Sequence, residues 1–123
     1  MLNEEPDWRY LCQLTSVPNW DLENGRVITR DLWWTAKLFY GRIATEESCW
    51  LLPFVSPCGD GSIHFSWVYG CRKFNLEITD GLWYTSEKDG CWMQSDGLLP
   101  HEALKKIQSF YMKCLVDKRK QFT

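Results

Sequence analysis

Two histidines, His64 and His101, are the first candidates for acid–base chemistry in this chain. His101 falls at the start of a predicted helix, where we expect a surface position. His64 is predicted on the polar face of a strand, and Glu77 and Tyr84 on the same face of its neighbours. An imidazole, a carboxylate and a phenol can transfer protons if a pocket surrounds them. On an open sheet they more often form plain cross-strand pairs, so this group is the alternative site, for catalysis or for a small ligand.

Short motifs for phosphate, dinucleotide or zinc-protease chemistry do not occur: there is no G-x-x-x-x-G-K-[ST], no G-x-G-x-x-G and no H-E-x-x-H. The six cysteines contain no C-x-x-C pair, and their spacing matches no zinc pattern. They are Cys12, Cys49, Cys58, Cys71, Cys91 and Cys114. We expect reduced structural cysteines, no metal, no cofactor and no catalytic residue, with a disulfide framework or a metal site as alternatives. Cys114 falls on the apolar face of a predicted helix, where a thiol behaves as a small hydrophobic group.

Composition is that of an ordinary globular domain, with 45% apolar and 24% charged residues in 123. The formal net charge of −2 argues against a dedicated nucleic-acid binder, so we expect no direct contact with nucleic acid. No run of about 18 apolar residues is present. Residues 1–6 are acidic and lack the apolar core of a secretory signal. These features predict a cytoplasmic protein that does not bind membranes.

Glycine-containing turns divide residues 58–97 into pieces of strand length, and three of these turns are Asp-Gly pairs after residue 79. Apolar and polar residues alternate in the pieces, which predicts an antiparallel sheet with one buried face. The predicted strands are 62–68, 73–79, 82–86 and 91–94. If residues 80–81 form a two-residue turn, Glu77 lies opposite Tyr84. The sequence therefore predicts a four-stranded meander over residues 62–94.

Helices are predicted on both sides of the meander. Leu32, Ala36, Phe39 and Ile43 form one apolar face of a helix over residues 31–44, with Thr29 or Asp31 as its cap. A second helix, over residues 99–118, has a broad apolar stripe that can cover the sheet. Residues 1–28 are predicted to be an irregular arm with a short strand around residues 8–14. The chain is thus a single α+β domain of order α-β-β-β-β-α, with both helices on one face.

The first predicted helix has a second apolar side, formed by Trp34 and Leu38 one turn apart. One interpretation is that the N-terminal arm covers this side. The other is that it is a partner surface, to which Trp8 and Trp20 of the arm also contribute, since tryptophan often anchors interfaces. A second copy of the chain is one such partner.

Residues 53–67, followed by 74–78 and Asp80-Gly81, resemble a hairpin signature of small uncharacterised bacterial proteins. In that signature a helix leads into P-x-[VI]-x-P, then DGG-[IV]-x-[LF]-E-W, then an LE-[IV] strand. The resemblance covers about residues 31–87, with Ser62 replacing the second glycine and Ser66 the acidic residue before the tryptophan. It implies a bacterial or phage origin and a helix–hairpin order, and it implies no catalytic residue.

Together these features favour a small intracellular protein-binding module. Such a module acts as an inhibitor, an immunity or antitoxin-like factor or an adaptor, by occlusion and without catalysis. Residues 1–60 hold nine acidic and five basic residues, which favours a basic partner surface, with a nucleic-acid-binding enzyme as one candidate. The alternative is a small-ligand-binding protein or enzyme that uses His64, Glu77 and Tyr84.

Overall fold

The computed structural model describes residues 8–13, 28–45, 50–58, 61–79, 83–89 and 93–120. Within these ranges the elements are α1 (Trp8–Gln13), α2 (Arg30–Thr45), β1 (Phe54–Pro57), β2 (Ile63–Tyr69), β3 (Arg72–Ile78), β4 (Trp83–Asp89), β5 (Met93–Leu98) and α3 (Pro100–Lys120). The predicted α+β class and the antiparallel meander are confirmed.

The sheet has five antiparallel strands in the order β1-β2-β3-β4-β5, one more than predicted. The additional strand, β1, pairs with β2 from Phe54↔Ser66 to Pro57↔Ile63. Prolines at positions 53 and 57 favour an extended backbone between them. Because β1 lies at the edge of the sheet, the missing N–H of Pro57 costs little there.

One face of the sheet is covered by α2 and α3 and forms the core. Its central side chains are fully buried: Ile63, Phe65 and Trp67 from β2, and Phe74, Leu76 and Ile78 from β3. The rings of Phe39 and Tyr40 in α2 each lie 6.1 Å from Phe65, and Phe110 of α3 lies 5.5 Å from Phe74. Both helices therefore pack on the same face, as the sequence predicts.

A buried polar group ties α3 to the sheet and to the segment before β1. The indole N–H of Trp67 donates to the hydroxyl of Tyr111 at 2.7 Å and to the carbonyl of Leu51 at 3.0 Å. The Tyr111 hydroxyl donates to the same carbonyl. Each buried donor thus has an acceptor, which lets two large amphipathic side chains lie in the core without an unsatisfied group.

Side chains cap both long helices. The hydroxyl of Thr29 accepts the backbone N–H of Leu32 at 3.1 Å, so Thr29 is the cap of α2. At α3, the carboxylate of Glu102 accepts the backbone N–H of Leu99 at 2.9 Å, and Pro100 occupies the first helical position. These caps fix the places at which the chain enters α2 and α3.

The structure corrects three details of the prediction. Residues 8–13 form a helix and not a strand, because Trp8 and Leu11 are three residues apart and both pack against the core. Gly97, predicted in a turn, lies inside β5 opposite Tyr84. Strands β4 and β5 also extend further than predicted, since β4 pairs along β3 as far as Arg72↔Asp89.

Candidate functional site

The outer face of α2 carries Trp34 and Leu38, the apolar pair for which the sequence left open both cover by the N-terminal arm and a partner surface. Trp34 is 52% exposed and Leu38 is 67% exposed. They lie one turn apart, away from the stripe with which α2 packs on the sheet. The N-terminal helix α1 packs beside α2 and leaves both side chains open to solvent. Below, "the α2 outer face" means Trp34 and Leu38.

Trp33 and Trp34 are neighbours in sequence with different environments. Trp33 is half-buried, and its indole N–H donates to the carbonyl of Trp8 at 2.9 Å. The Trp34 ring stands edge-on to the Trp33 ring at 4.9 Å. The ammonium of Lys37 lies 5.0 Å from one ring centre and 5.5 Å from the other. Trp34 is therefore supported on one side by an anchored ring and a cation, and about half of its surface is exposed.

Of the two tryptophans predicted to act from the N-terminal arm, the structure describes Trp8. Trp8 is half-buried, with its ring 5.7 Å from Tyr40 and edge-on to it. Its side chain thus helps to hold α1 on α2, and its carbonyl holds Trp33. Trp20 lies outside the described residues.

The charges of α2 differ from those of the N-terminal half as a whole. Within α2, Arg30, Lys37 and Arg42 are basic, and Asp31 is acidic. Of the nine acidic residues in positions 1–60, the other eight lie outside the described residues. The predicted basic partner therefore stays a prediction.

The open face of the sheet brings together the three residues of the alternative site. His64 pairs with Glu77 across β2 and β3, and Glu77 pairs with Tyr84 across β3 and β4. The predicted register is thereby confirmed. These side chains line one shallow depression of about 310 Å³.

The geometry of this group limits its chemistry. The His64 Nε2 lies 3.6 Å from a carboxylate oxygen of Glu77, a distance that suits an ion pair with a protonated imidazole but is too long for a hydrogen bond. Among the described residues, Nε2 has no hydrogen-bond partner although the atom itself is buried. General acid–base catalysis needs this atom to reach a substrate proton directly or through one water, so the buried position of Nε2 limits its use as an acid or base.

Sequence reasoning missed Phe54 on the open face, and it did not anticipate the hydrogen bonds that join Ser66, Asn75 and Ser86. Phe54 is 74% exposed and lies on the same face as its partner Ser66. The Ser66 hydroxyl donates to the Asn75 amide oxygen at 2.9 Å, and the amide nitrogen of Asn75 donates to Ser86 at 3.4 Å. Phe54 was missed because β1 was not predicted as a strand, and its face is known only from its pairing with Ser66.

Three cysteine side chains that the structure describes lie in different environments: Cys71 is exposed, Cys58 is half-buried and Cys114 is buried. Cys58, Cys71 and Cys114 are free thiols. Burial raises the pKa of the Cys114 thiol to about 11, so it stays protonated at neutral pH. In the part of the chain that the structure describes, no cluster of three histidine, cysteine or acidic residues is placed to hold a metal ion.

Comparisons with known proteins found no match to any family model, to any curated protein or to any solved structure. The resemblance to the bacterial hairpin signature therefore stays a prediction. Among the described residues, no helix has the length and apolarity needed to cross a membrane.

Proposed function

We propose that the chain is a protein-binding module and that the α2 outer face is its contact surface. It covers a surface of its partner, as inhibitors, immunity or antitoxin-like proteins and adaptors do, and it performs no catalysis. The resemblance to the bacterial hairpin signature supports a bacterial or phage origin, and the free thiols of Cys58, Cys71 and Cys114 support a place in the cytoplasm.

The observation that carries this proposal is the exposure of Trp34 beside Leu38. Tryptophan is among the residue types that most often dominate binding energy at protein interfaces. The edge contacts with Trp33 and Lys37 restrict the ring before any partner arrives. A ring that is already ordered loses less conformational entropy on binding, so more of its buried area contributes to affinity.

The charge of the N-terminal half supports a choice of partner. Residues 1–60 have a net charge of −4, which favours a basic protein surface such as the groove of a nucleic-acid-binding enzyme. A second copy of the chain is the other partner that an apolar helix face suits, and the same experiment distinguishes the two.

The test is affinity capture from a lysate of the native host with the tagged full chain. Three baits are compared: the unmodified chain, Trp34→Asp and Met112→Asp. Met112 is the matched control, because it is an exposed apolar residue on α3 and receives the same new carboxylate. Light scattering of each purified bait gives its oligomeric state.

We expect a stoichiometric protein that the unmodified chain and Met112→Asp retain and Trp34→Asp loses. A dimer of the unmodified chain that becomes a folded monomer in Trp34→Asp would assign the surface to self-association. Equal capture by all three baits contradicts the proposal, and so does a Trp34→Asp chain that fails to fold.

The alternative function, binding or conversion of a small ligand on the open sheet face, is favoured by one observation. His64, Glu77 and Tyr84 lie in one row of the sheet and line one depression. In this alternative, His64→Ala abolishes ligand binding or activity and leaves protein capture unchanged. A protein-binding chain shows the opposite pattern, with capture sensitive to Trp34→Asp and indifferent to His64→Ala.

A further inference from the structure

Two lysines on the open face of the sheet have no explanation in the fold or in the proposed function. Lys73 of β3 and Lys88 of β4 are direct cross-strand neighbours, and both are exposed. Among the described residues, neither has a carboxylate partner. Like charges directly opposite each other on neighbouring strands repel and destabilise the sheet. An anion between the two ammonium groups removes that repulsion.

Exposed aromatic rings lie on the same face as this lysine pair. Tyr84 is 48% exposed, and its neighbour on β5 is Gly97, which has no side chain to lie against the ring. Phe54 on β1 is the most exposed large apolar residue of the described chain. An exposed ring stacks with a nucleobase of any sequence.

Hydrogen-bonding groups fill the row between the lysines and Tyr84. This row consists of Ser66, Asn75 and Ser86, which bond to one another across three strands. Their amide and hydroxyl groups can exchange hydrogen bonds with the edge of an unstacked base. Among the side chains of this face that the structure describes, Glu77 is the acidic one, and it lies two rows from the lysines, between His64 and Tyr84.

We propose that this face binds a short single strand of nucleic acid. A phosphate lies at Lys73 and Lys88, one base stacks on Tyr84 and another stacks on Phe54. The rings lie on β1 and β4, three strand spacings or about 14 Å apart, so one nucleotide does not reach both. In a duplex the bases already stack on each other, which leaves none to cover the rings.

The proposal revises the expectation that the chain makes no direct contact with nucleic acid. That expectation rested on the overall charge. The structure adds Phe54 to this face and places two basic residues side by side. The proposed nucleic-acid site on the open face of the sheet does not involve the α2 outer face, and it is tested separately.

The test is fluorescence anisotropy with a labelled single-stranded RNA of about 12 nucleotides, titrated with the full chain. A duplex of the same sequence and a free mononucleotide serve as competitors. The variants are Lys73→Glu with Lys88→Glu, Phe54→Ala and Tyr84→Ala. The matched control is Lys105→Glu with Arg119→Glu, which changes the net charge equally at exposed positions of α3.

We expect the unlabelled single strand to compete and the duplex and mononucleotide to compete poorly. One neutralised phosphate on a single strand predicts about threefold weaker binding between about 50 and about 200 mM salt. The lysine double variant should lose binding and its salt dependence. Each aromatic variant should weaken binding about fivefold or more. The α3 control and Trp34→Asp should bind as the unmodified chain does.

Absence of binding by the unmodified chain overturns the proposal, and so does equal loss in the α3 control. Equal competition by the duplex overturns it as well, because the site would then not require a single strand. Equal competition by the mononucleotide also overturns it, because one base would then bind as well as a strand that contacts both rings. Circular dichroism checks that each variant is folded. If one is not, the salt dependence and the competitors still decide with the unmodified chain alone.

Discussion

The two faces of the sheet follow the same alternation of residues but differ in how far the fold explains them. On the covered face, Phe65, Trp67 and Phe74 contact α2 or α3 and each other. On the open face, Phe54 and Tyr84 are exposed without a packing role. Large apolar side chains that are exposed and that the core does not need are therefore the ones to examine for function.

The helix α2 repeats this comparison on a smaller scale. Its inner stripe is buried, including Ala36 and Ile43 with no exposed surface. Its outer face holds Trp34 and Leu38, which stabilise nothing that the structure describes beyond the edge contacts of Trp34. Both exposed sets, on α2 and on the sheet, are therefore candidates for binding and not for stability.

The largest difference between the faces is expected in stability. Trp67→Ala should lower the free energy of unfolding by about 3–5 kcal/mol, because it removes a fully buried ring and leaves a cavity. Tyr84→Ala on the open face should lower it by less than about 1 kcal/mol. Urea denaturation followed by far-ultraviolet circular dichroism measures both, since this signal does not depend on tryptophan fluorescence. Similar losses of unfolding free energy at the two positions would contradict this difference between the faces.

A smaller effect is expected from the polar group in the core. Tyr111→Phe removes one hydroxyl, while the Trp67 indole keeps its bond to the carbonyl of Leu51. The variant loses two hydrogen bonds, one accepted from Trp67 and one donated to Leu51, so the free energy of unfolding should fall by about 1–3 kcal/mol. The same denaturation experiment measures it. A loss as large as that of Trp67→Ala would mean that this hydroxyl organises the whole covered face.

The smallest effect is expected at the margin of the covered face, where Arg72 of β3 donates to Asp117 of α3 at 2.6 Å. This hydrogen bond lowers the pKa of Asp117 below its ordinary value of 3.8. A carboxyl whose pKa is lowered by folding stabilises the protein above its unfolded pKa, and the contribution disappears as the pH falls through the folded pKa.

Asp117→Asn should therefore reduce stability slightly at neutral pH and leave it unchanged at the acid end of the transition. Denaturation of both chains at about pH 6 and at a series of lower pH values, as far as the fold persists, measures the difference. A loss that is independent of pH would show that the side chain contributes by packing and not by charge.

The sequence predicted the covered face more completely than the rest of the molecule. Regular alternation from Ile63 to Ile78 determines which side chains are buried, and turns of fixed length determine the register that places Glu77 opposite Tyr84. Gly70 adopts a positive φ in the turn between β2 and β3, as that reasoning requires.

The remaining features depend on contacts that no local pattern reveals. The strand β1 exists because β2 offers an edge to Phe54–Pro57. The helix α1 is only six residues long and is held by contacts such as that of Trp8 with Tyr40. Which of Trp33 and Trp34 is anchored depends in turn on the position of α1, so their exposure could not be predicted from periodicity alone.

The most direct test of the central claim is photo-crosslinking from the α2 outer face in the native host. The chain carries p-benzoylphenylalanine in place of Leu38 and, as a control, in place of Met112 on α3. We predict that position 38 crosslinks to one protein, that Trp34→Asp in the same chain abolishes the product, and that position 112 does not give it. The same product from both positions, or a product from position 38 that survives Trp34→Asp, would contradict the assignment of this face as the contact surface.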